Sequence, residues 1–144
     1  MQYHEGIPEN IDELKRNAKR QDDWRTRLNA VEELGNWKCR QSIDILWDRM
    51  MRDKVYKVQH AAFIKLQSFD EKVKLPKKKK GNLIKDIDKK LSPVKNALPE
   101  NHTFDDFKAA LRQKKPEIYD TYEGDKENKF EQWLKNKWQS LPKK

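Results

Sequence analysis

Apolar residues in this chain recur mainly at intervals of three and four. In "CRQSIDILWDRMMRD" they fall at Ile43, Leu46, Trp47 and Met50, the spacing of an amphipathic helix with one stripe turned toward its neighbours. "NIDELKRNAKR" places Ile11, Leu14 and Ala18 on one face in the same way. Further on, Leu83, Ile84, Ile87, Leu91, Val94 and Leu98 keep helical spacing but are interrupted by Pro93. A residue before proline is biased away from helix, so Ser92 predicts either a kink or a second helix starting at Pro93. Thr103, with Asp106 three positions later, predicts a capped start for a helix whose apolar face is Phe104, Phe107 and Leu111. A last helix, from about Lys126 to Ser140, carries Phe130, Trp133, Leu134, Trp138 and Leu141, aromatic side chains large enough to be core. Between these two helices, "PEIYDTYEGDKENKFE" reads as a charged turn with Gly124 as a helix stop.

The first half also repeats itself. "DWRTRLNAVEELGNW" lies over "VYKVQHAAFIKLQSF" at an offset of 32 positions, bringing Trp24 onto Tyr56, Arg25 onto Lys57, Ala30 onto Ala62, Val31 onto Phe63, Leu34 onto Leu66 and Trp37 onto Phe69. In each copy the small residue sits four positions before the leucine, so both share a helix face where a neighbouring helix can approach closely. Gly35 with Asn36 is a stop signal for the first of these helices; Ser42 is only a weak start for the next.

Helix, short turn, helix at this period resembles the HEAT repeat family in its short bacterial style, on "DWRTRLNAVEELG" and "DKVYKVQHAAFIKLQ". The likeness covers about residues 22 to 69. It departs where such a repeat commonly has Arg after the valine and this chain has Gln59, and again at residues 70 to 83, where Pro76 and the lysines stand in place of a second helix. "LPKKKKGNL", "YDTYEGDK" and "WLKNKWQSLPKK" are similar to the tail beside HEAT repeats in small bacterial proteins of uncharacterised function, a likeness that brings no catalytic residues with it. The resemblance implies an all-α, right-handed stack of helical hairpins with a C-terminal helical cap. An array this short needs other helices to cover its faces, so residues 1–72 are expected to form the repeats with their N-terminal capping helix, and 73–144 a lysine-rich connection and helical region packed with them as one globule.

Composition fits that picture. With 144 residues the chain can bury a core, and five Trp, five Phe and four Tyr argue against disorder even though 40% of residues are charged. Four Gly and six Pro are few for the hairpins of a multi-stranded sheet. Cys39, the one cysteine, cannot form an intramolecular disulfide and reads as a small, partly buried residue. "MQYHEGIPEN" lacks a basic segment followed by an apolar run, and no stretch of about 18 apolar residues occurs, which gives the expectation of a soluble cytoplasmic protein without a membrane partner.

The net charge of +9 is unevenly placed: residues 1–70 hold 13 Lys and Arg against 12 Asp and Glu, residues 71–144 hold 20 against 12. Between Lys72 and Lys95, ten lysines face only Asp86 and Asp88. Such a field attracts polyanions, and Lys77, Lys78, Lys79, Lys80, Lys85 and Lys89 are the candidates for phosphate contact. The segment holds no Arg and no aromatic, so it offers neither base reading nor stacking. Three further readings stay open: a solvated connection bracketed by Pro76 and Gly81, a docking site for an acidic protein, and a nuclear address in "PKKKK".

Chemistry finds little footing. The four glycines never cluster into a phosphate loop, and His4, His60 and His102 form no metal-spaced pair; His60 reads as a polar or interface residue of the repeat. Asp120, Glu123, Asp125 and Glu127 invite a metal, but a calcium loop starting at Asp120 would put Tyr122, Gly124 and Asp125 where two oxygen ligands and a glycine belong. With Lys126 or Lys129, the same acids are the one place for a metal-dependent nuclease, and neither the catalytic acid nor the aromatic cleft of repeat-built DNA glycosylases can be identified. The chain therefore reads as non-catalytic, without cofactor or metal: an interaction module for a protein partner, its surface supplied by Arg40, Asp44, Asp48 and Arg52, which fall away from the Ile43–Met50 stripe, with non-specific nucleic-acid binding by the lysines as the alternative.

Overall fold

A computed structural model describes residues 3–78 and 83–142; Lys79, Lys80 and Gly81 of the lysine run lie outside the described residues. The chain divides into two compact units, Met1–Lys78 and Lys79–Lys144, each with its own apolar core. Both are mainly helical.

The first unit comprises β1 (His4–Glu5), α1 (Ile11–Ala18), α2 (Trp24–Leu34), β2 (Trp37–Lys38), α3 (Arg40–Arg52) and α4 (Tyr56–Ser68). α1 packs on α2, α2 on α4 and α3 on α4. β1 pairs in parallel with β2, His4 opposite Trp37; strands of two residues are too short to show an alternating pattern, and helical periodicity gave no sign of them. α2 starts where the Asp23 carboxylate accepts from the Thr26 N–H at 3.1 Å, a side-chain cap worth about 1 kcal/mol. α2 and α4 begin at Trp24 and Tyr56, positions 32 apart, and bury Ala30 with Leu34 and Ala62 with Leu66 respectively.

On α3 the buried stripe lies a little to one side of the expected one. Ser42, Ile45, Leu46 and Met50 are buried, while Ile43 and Trp47 are half-buried at its edge. Ser42 is therefore core, not a start signal. The helix begins one turn earlier, with Cys39 as its cap, the sulfur accepting from the Ser42 N–H at 3.5 Å. α4 ends in a Schellman turn: the N–H of Glu71 donates to Leu66 O at 3.0 Å and that of Asp70 to Gln67 O at 2.9 Å, with Asp70 at φ 63°.

An ionic network closes this core. Arg27 grips Asp53 with one edge of its guanidinium, Nε to Oδ2 at 2.8 Å and Nη2 to Oδ1 at 3.2 Å, and donates through Nη1 to Arg20 O at 2.7 Å. Arg49 reaches the same carboxylate at 3.1 Å, and the Val55 N–H donates to it at 2.9 Å. At the position 32 residues after Arg27, Gln59 donates to Met50 O at 2.9 Å. Arg27 thus ties α2, and Gln59 ties α4, to the end of α3.

The second unit holds α5 (Ile87–Asn96), α6 (Phe104–Lys114), α7 (Pro116–Lys126), a short 3-10 turn (Glu127–Lys129) and α8 (Phe130–Ser140). α5 runs through Pro93 unbroken, and Leu83 and Ile84 precede it while still packing on the core. Thr103 and Asp106 form the full reciprocal cap, with both hydrogen bonds in place at 3.2 and 3.0 Å. The expected charged turn is a helix, α7, with Gly124 inside it and Tyr119, Asp120, Thr121 and Tyr122 buried. The chain reverses three residues later, at Glu127, where φ is 50° and ψ −117°, and α8 accordingly starts at Phe130 and not near Lys126. Tyr122 stacks on Trp133 at 4.3 Å between ring centres, and Tyr119 meets Phe130 edge-on at 5.0 Å. Lys95, 7% exposed, points its amine at the end of α8, donating to Trp138 O at 2.5 Å and Leu141 O at 2.8 Å.

Candidate functional site

α4 has two working faces. Val58, Ala62 and Leu66 enter the core, while Lys57, His60, Ala61, Ile64 and Lys65, spaced at three, four, seven and eight, share the opposite side. Together with Leu28 and Glu32, one turn apart on α2, they line an open groove of about 290 Å³. Leu28, Ala61 and Ile64 form its apolar floor, and Ile64 is 45% exposed.

One side chain sets the groove's edge. The stem of Lys65 crosses Gly35 so closely that a Cβ on the glycine would come within 2.2 Å of Lys65 Cδ, and its amine reaches Glu32 at 3.4 Å. Gly35 does end α2, but in ordinary right-handed conformation at φ −67°; what it supplies is room. Apolar stem below and charged head above let Lys65 cover the α2–α4 junction without losing hydration.

Cations gather at the other end, over the first turns of both helices. The Arg25 guanidinium lies 4.6 Å from the Trp24 ring centre and the Lys57 amine 5.8 Å from it. Lys78 sits over Tyr56 at 5.7 Å, and Tyr56 neighbours His60 of the groove at 6.2 Å between rings. Val73 and Leu75 pack on the first unit's core, which lays the start of the lysine run along this unit. Positive charge over an aromatic face is favourable; of these cations Lys57 lines the groove.

The residues nominated from the sequence are distributed differently. Arg40, Asp44, Asp48 and Arg52 do lie on the outer side of α3, where they pair with one another: Arg40 with Asp44 at 3.2 Å and Arg52 with Asp48 at 3.1 Å. Burial pushes the Asp48 carboxyl up, but the Arg49 hydrogen bond and the charges of Arg49 and Arg52 outweigh it and hold the group below the usual carboxylate range. Of the six lysines, Lys77 and Lys78 belong to the first unit and Lys85 and Lys89 to the second; all four are exposed.

The acids from Asp120 to Glu127 are spread along α7 and the turn after it. Asp120 is buried, Asp125 pairs with Lys126 at 3.6 Å, and the Lys126 amine lies over Trp133 at 5.6 Å. Among the described residues no group of three or more His, Cys, Asp and Glu is placed to hold a metal, and no helix is long and apolar enough to cross a membrane.

Sequence reasoning nominated none of the floor residues. The available signal was Ile64, an aliphatic side chain off the Val58–Ala62–Leu66 stripe and 32 positions after the polar Glu32. Compared with known proteins, the chain matches no family model, no curated protein and no solved structure.

Proposed function

We propose that this chain is a non-catalytic protein-interaction module, built on a HEAT-like pair of repeats and binding its partner in the groove between α2 and α4. The observation that carries the reading is the open groove itself, an apolar floor ending in a half-exposed isoleucine between two helices related by a 32-residue offset. Buried aliphatic anchors in such a groove are a common way for a helix pair to hold a peptide. Panning a displayed library of random short segments against the protein tests it: binders should be enriched and should be lost with Ile64→Arg and with Ala61→Arg. No enrichment, or binders indifferent to both changes, would sink the proposal.

Nucleic-acid binding is the second reading, favoured by the exposure of Lys77, Lys78, Lys85 and Lys89. Its mark is affinity for labelled duplex or single-stranded DNA that falls steeply with salt and disappears when these four, Lys79 and Lys80 become Gln. Absence of binding at low salt removes it.

A further inference from the structure

Lys95, Trp138 and His102 meet at the end of α8. The Trp138 carbonyl accepts from Lys95 of α5 at 2.5 Å, while its indole N–H donates to Nε2 of His102, in the loop before α6, at 2.9 Å. The other ring nitrogen of His102, Nδ1, faces Pro99 O at 2.5 Å. A carbonyl can only accept and an indole N–H can only donate. The two partners therefore dictate a neutral ring with its proton on Nδ1 and a lone pair on Nε2. A second proton would put an N–H on Nε2, donor against donor across 2.9 Å.

The surroundings do not offset such a charge. Among the described residues no carboxylate forms an ion pair with the ring, whose contacts are these two hydrogen bonds and its edge-on approach to Trp138. The charged groups on the elements around it are Glu100 in its own loop, Asp105 and Asp106 at the start of α6, Lys95 on α5 and Lys137 on α8. Asp106 receives the Thr103 N–H and Lys137 pairs with Asp88, each at 3.0 Å. The Lys95 amine lies 5.7 Å from the centre of the Trp138 ring, and the His102 ring lies 5.7 Å from it too. A protonated His102 would thus bring a second cation to the same indole.

We propose that His102 is an acid-released latch on the end of α8. Neutral, it holds Trp138 by the indole N–H. Protonated, it keeps its bond to Pro99 O and loses the one to Trp138. The helix end then stays tied by the Lys95 bonds to Trp138 O and Leu141 O, while the indole, which also packs on Phe104 at 5.7 Å between rings, swings free. His102 is half-buried, so the proton reaches it without unfolding, and imidazole is the side chain that titrates between about pH 5 and about pH 8. The stabilisation from the latch is present while the ring is neutral and is lost as pH falls through the titration of the ring. The device lies wholly in the second unit and is independent of the groove between α2 and α4.

Nitrogen-15 spectra of the whole chain, taken at steps from about pH 8 to about pH 5, test it without any substitution. The Trp138 indole N–H resonance should move together with the His102 ring nitrogens and share their midpoint. Melting supplies a second arm. The advantage of the parent over Trp138→Phe, about fivefold in the unfolding constant at about pH 8, should disappear at about pH 5; in a His102→Ala background the same comparison should be independent of pH. An indole resonance that stays put while the ring titrates, or a ring that takes up no proton by about pH 5, overturns the proposal. So does a Trp138→Phe difference that is equal at both pH values, the result expected of an indole that only fills space.

Discussion

Both units bury a cation, and they hydrogen-bond it to different acceptors. In the first, the Arg27 side chain is 5% exposed and forks onto the fully buried Asp53, which also receives Arg49 and the Val55 N–H. In the second, Lys95 donates to two carbonyls at the end of α8, where the helix dipole is negative. The difference follows from the side chains. A planar guanidinium matches a carboxylate edge to edge, whereas an ammonium is a point donor suited to scattered carbonyls. Deleting a carboxylate shared by arginines leaves buried charge behind, whereas the two carbonyls that Lys95 caps are neutral.

The largest effect should therefore come from Asp53→Ala, which takes from Arg27 and Arg49 the buried carboxylate they share: a loss of about 3–5 kcal/mol, read by denaturant unfolding and by hydrogen exchange of α2 and α4 amides. Lys95→Met keeps the buried stem and removes the charge-assisted bonds to two neutral carbonyls, so its cost should be nearer about 2 kcal/mol. If the two variants lose equally, the contrast between charge and dipole pairing is broken. Trp138→Phe deletes the indole N–H that donates to His102 Nε2 at 2.9 Å and should cost about 1 kcal/mol. In the parent that bond fixes the tautomer, leaving the ring proton on Nδ1 toward Pro99 O, which nitrogen chemical shifts of His102 would show directly.

Glu127→Gly should relieve about 1 kcal/mol of backbone strain, since a side chain is strained at φ 50° and ψ −117°, read by thermal melting. Acid should act most gently, through two carboxylates of the first unit. Asp48, and Asp23, where burial pushes up but hydrogen bonds from Thr26 and the Arg20 charge win, both sit below their ordinary range when folded. A depressed folded value gives stability that is complete above the unfolded one, near 3.8, and is lost as pH falls through the folded one. Melting midpoints of Asp48→Asn and the parent should converge in that window and separate above it.

Periodicity disclosed α1, α2, α3 and α4 and the capped start of α6 because their apolar positions keep one spacing over several turns. It failed at α7, where the glycine stands inside the helix and a glutamate takes the backbone conformation that glycine favours. Ser42 in the core and the buried Arg27–Asp53 pair were invisible for a shared reason: polar residues are read as surface until the partner, 26 positions away in the second case, is known. The groove was hidden because its floor is made of single aliphatic residues on two different helices. Only their juxtaposition gives them meaning.

The Lys95 amine offers a clock. Capped by two carbonyls and 7% exposed, its nitrogen can meet an acylating reagent only when the end of α8 lifts away, while exposed lysines such as Lys89 and Lys90 react at once. The rate at which a mass spectrometer sees Lys95 acylated would then be the rate at which this corner of the protein opens, measured in native buffer without denaturant.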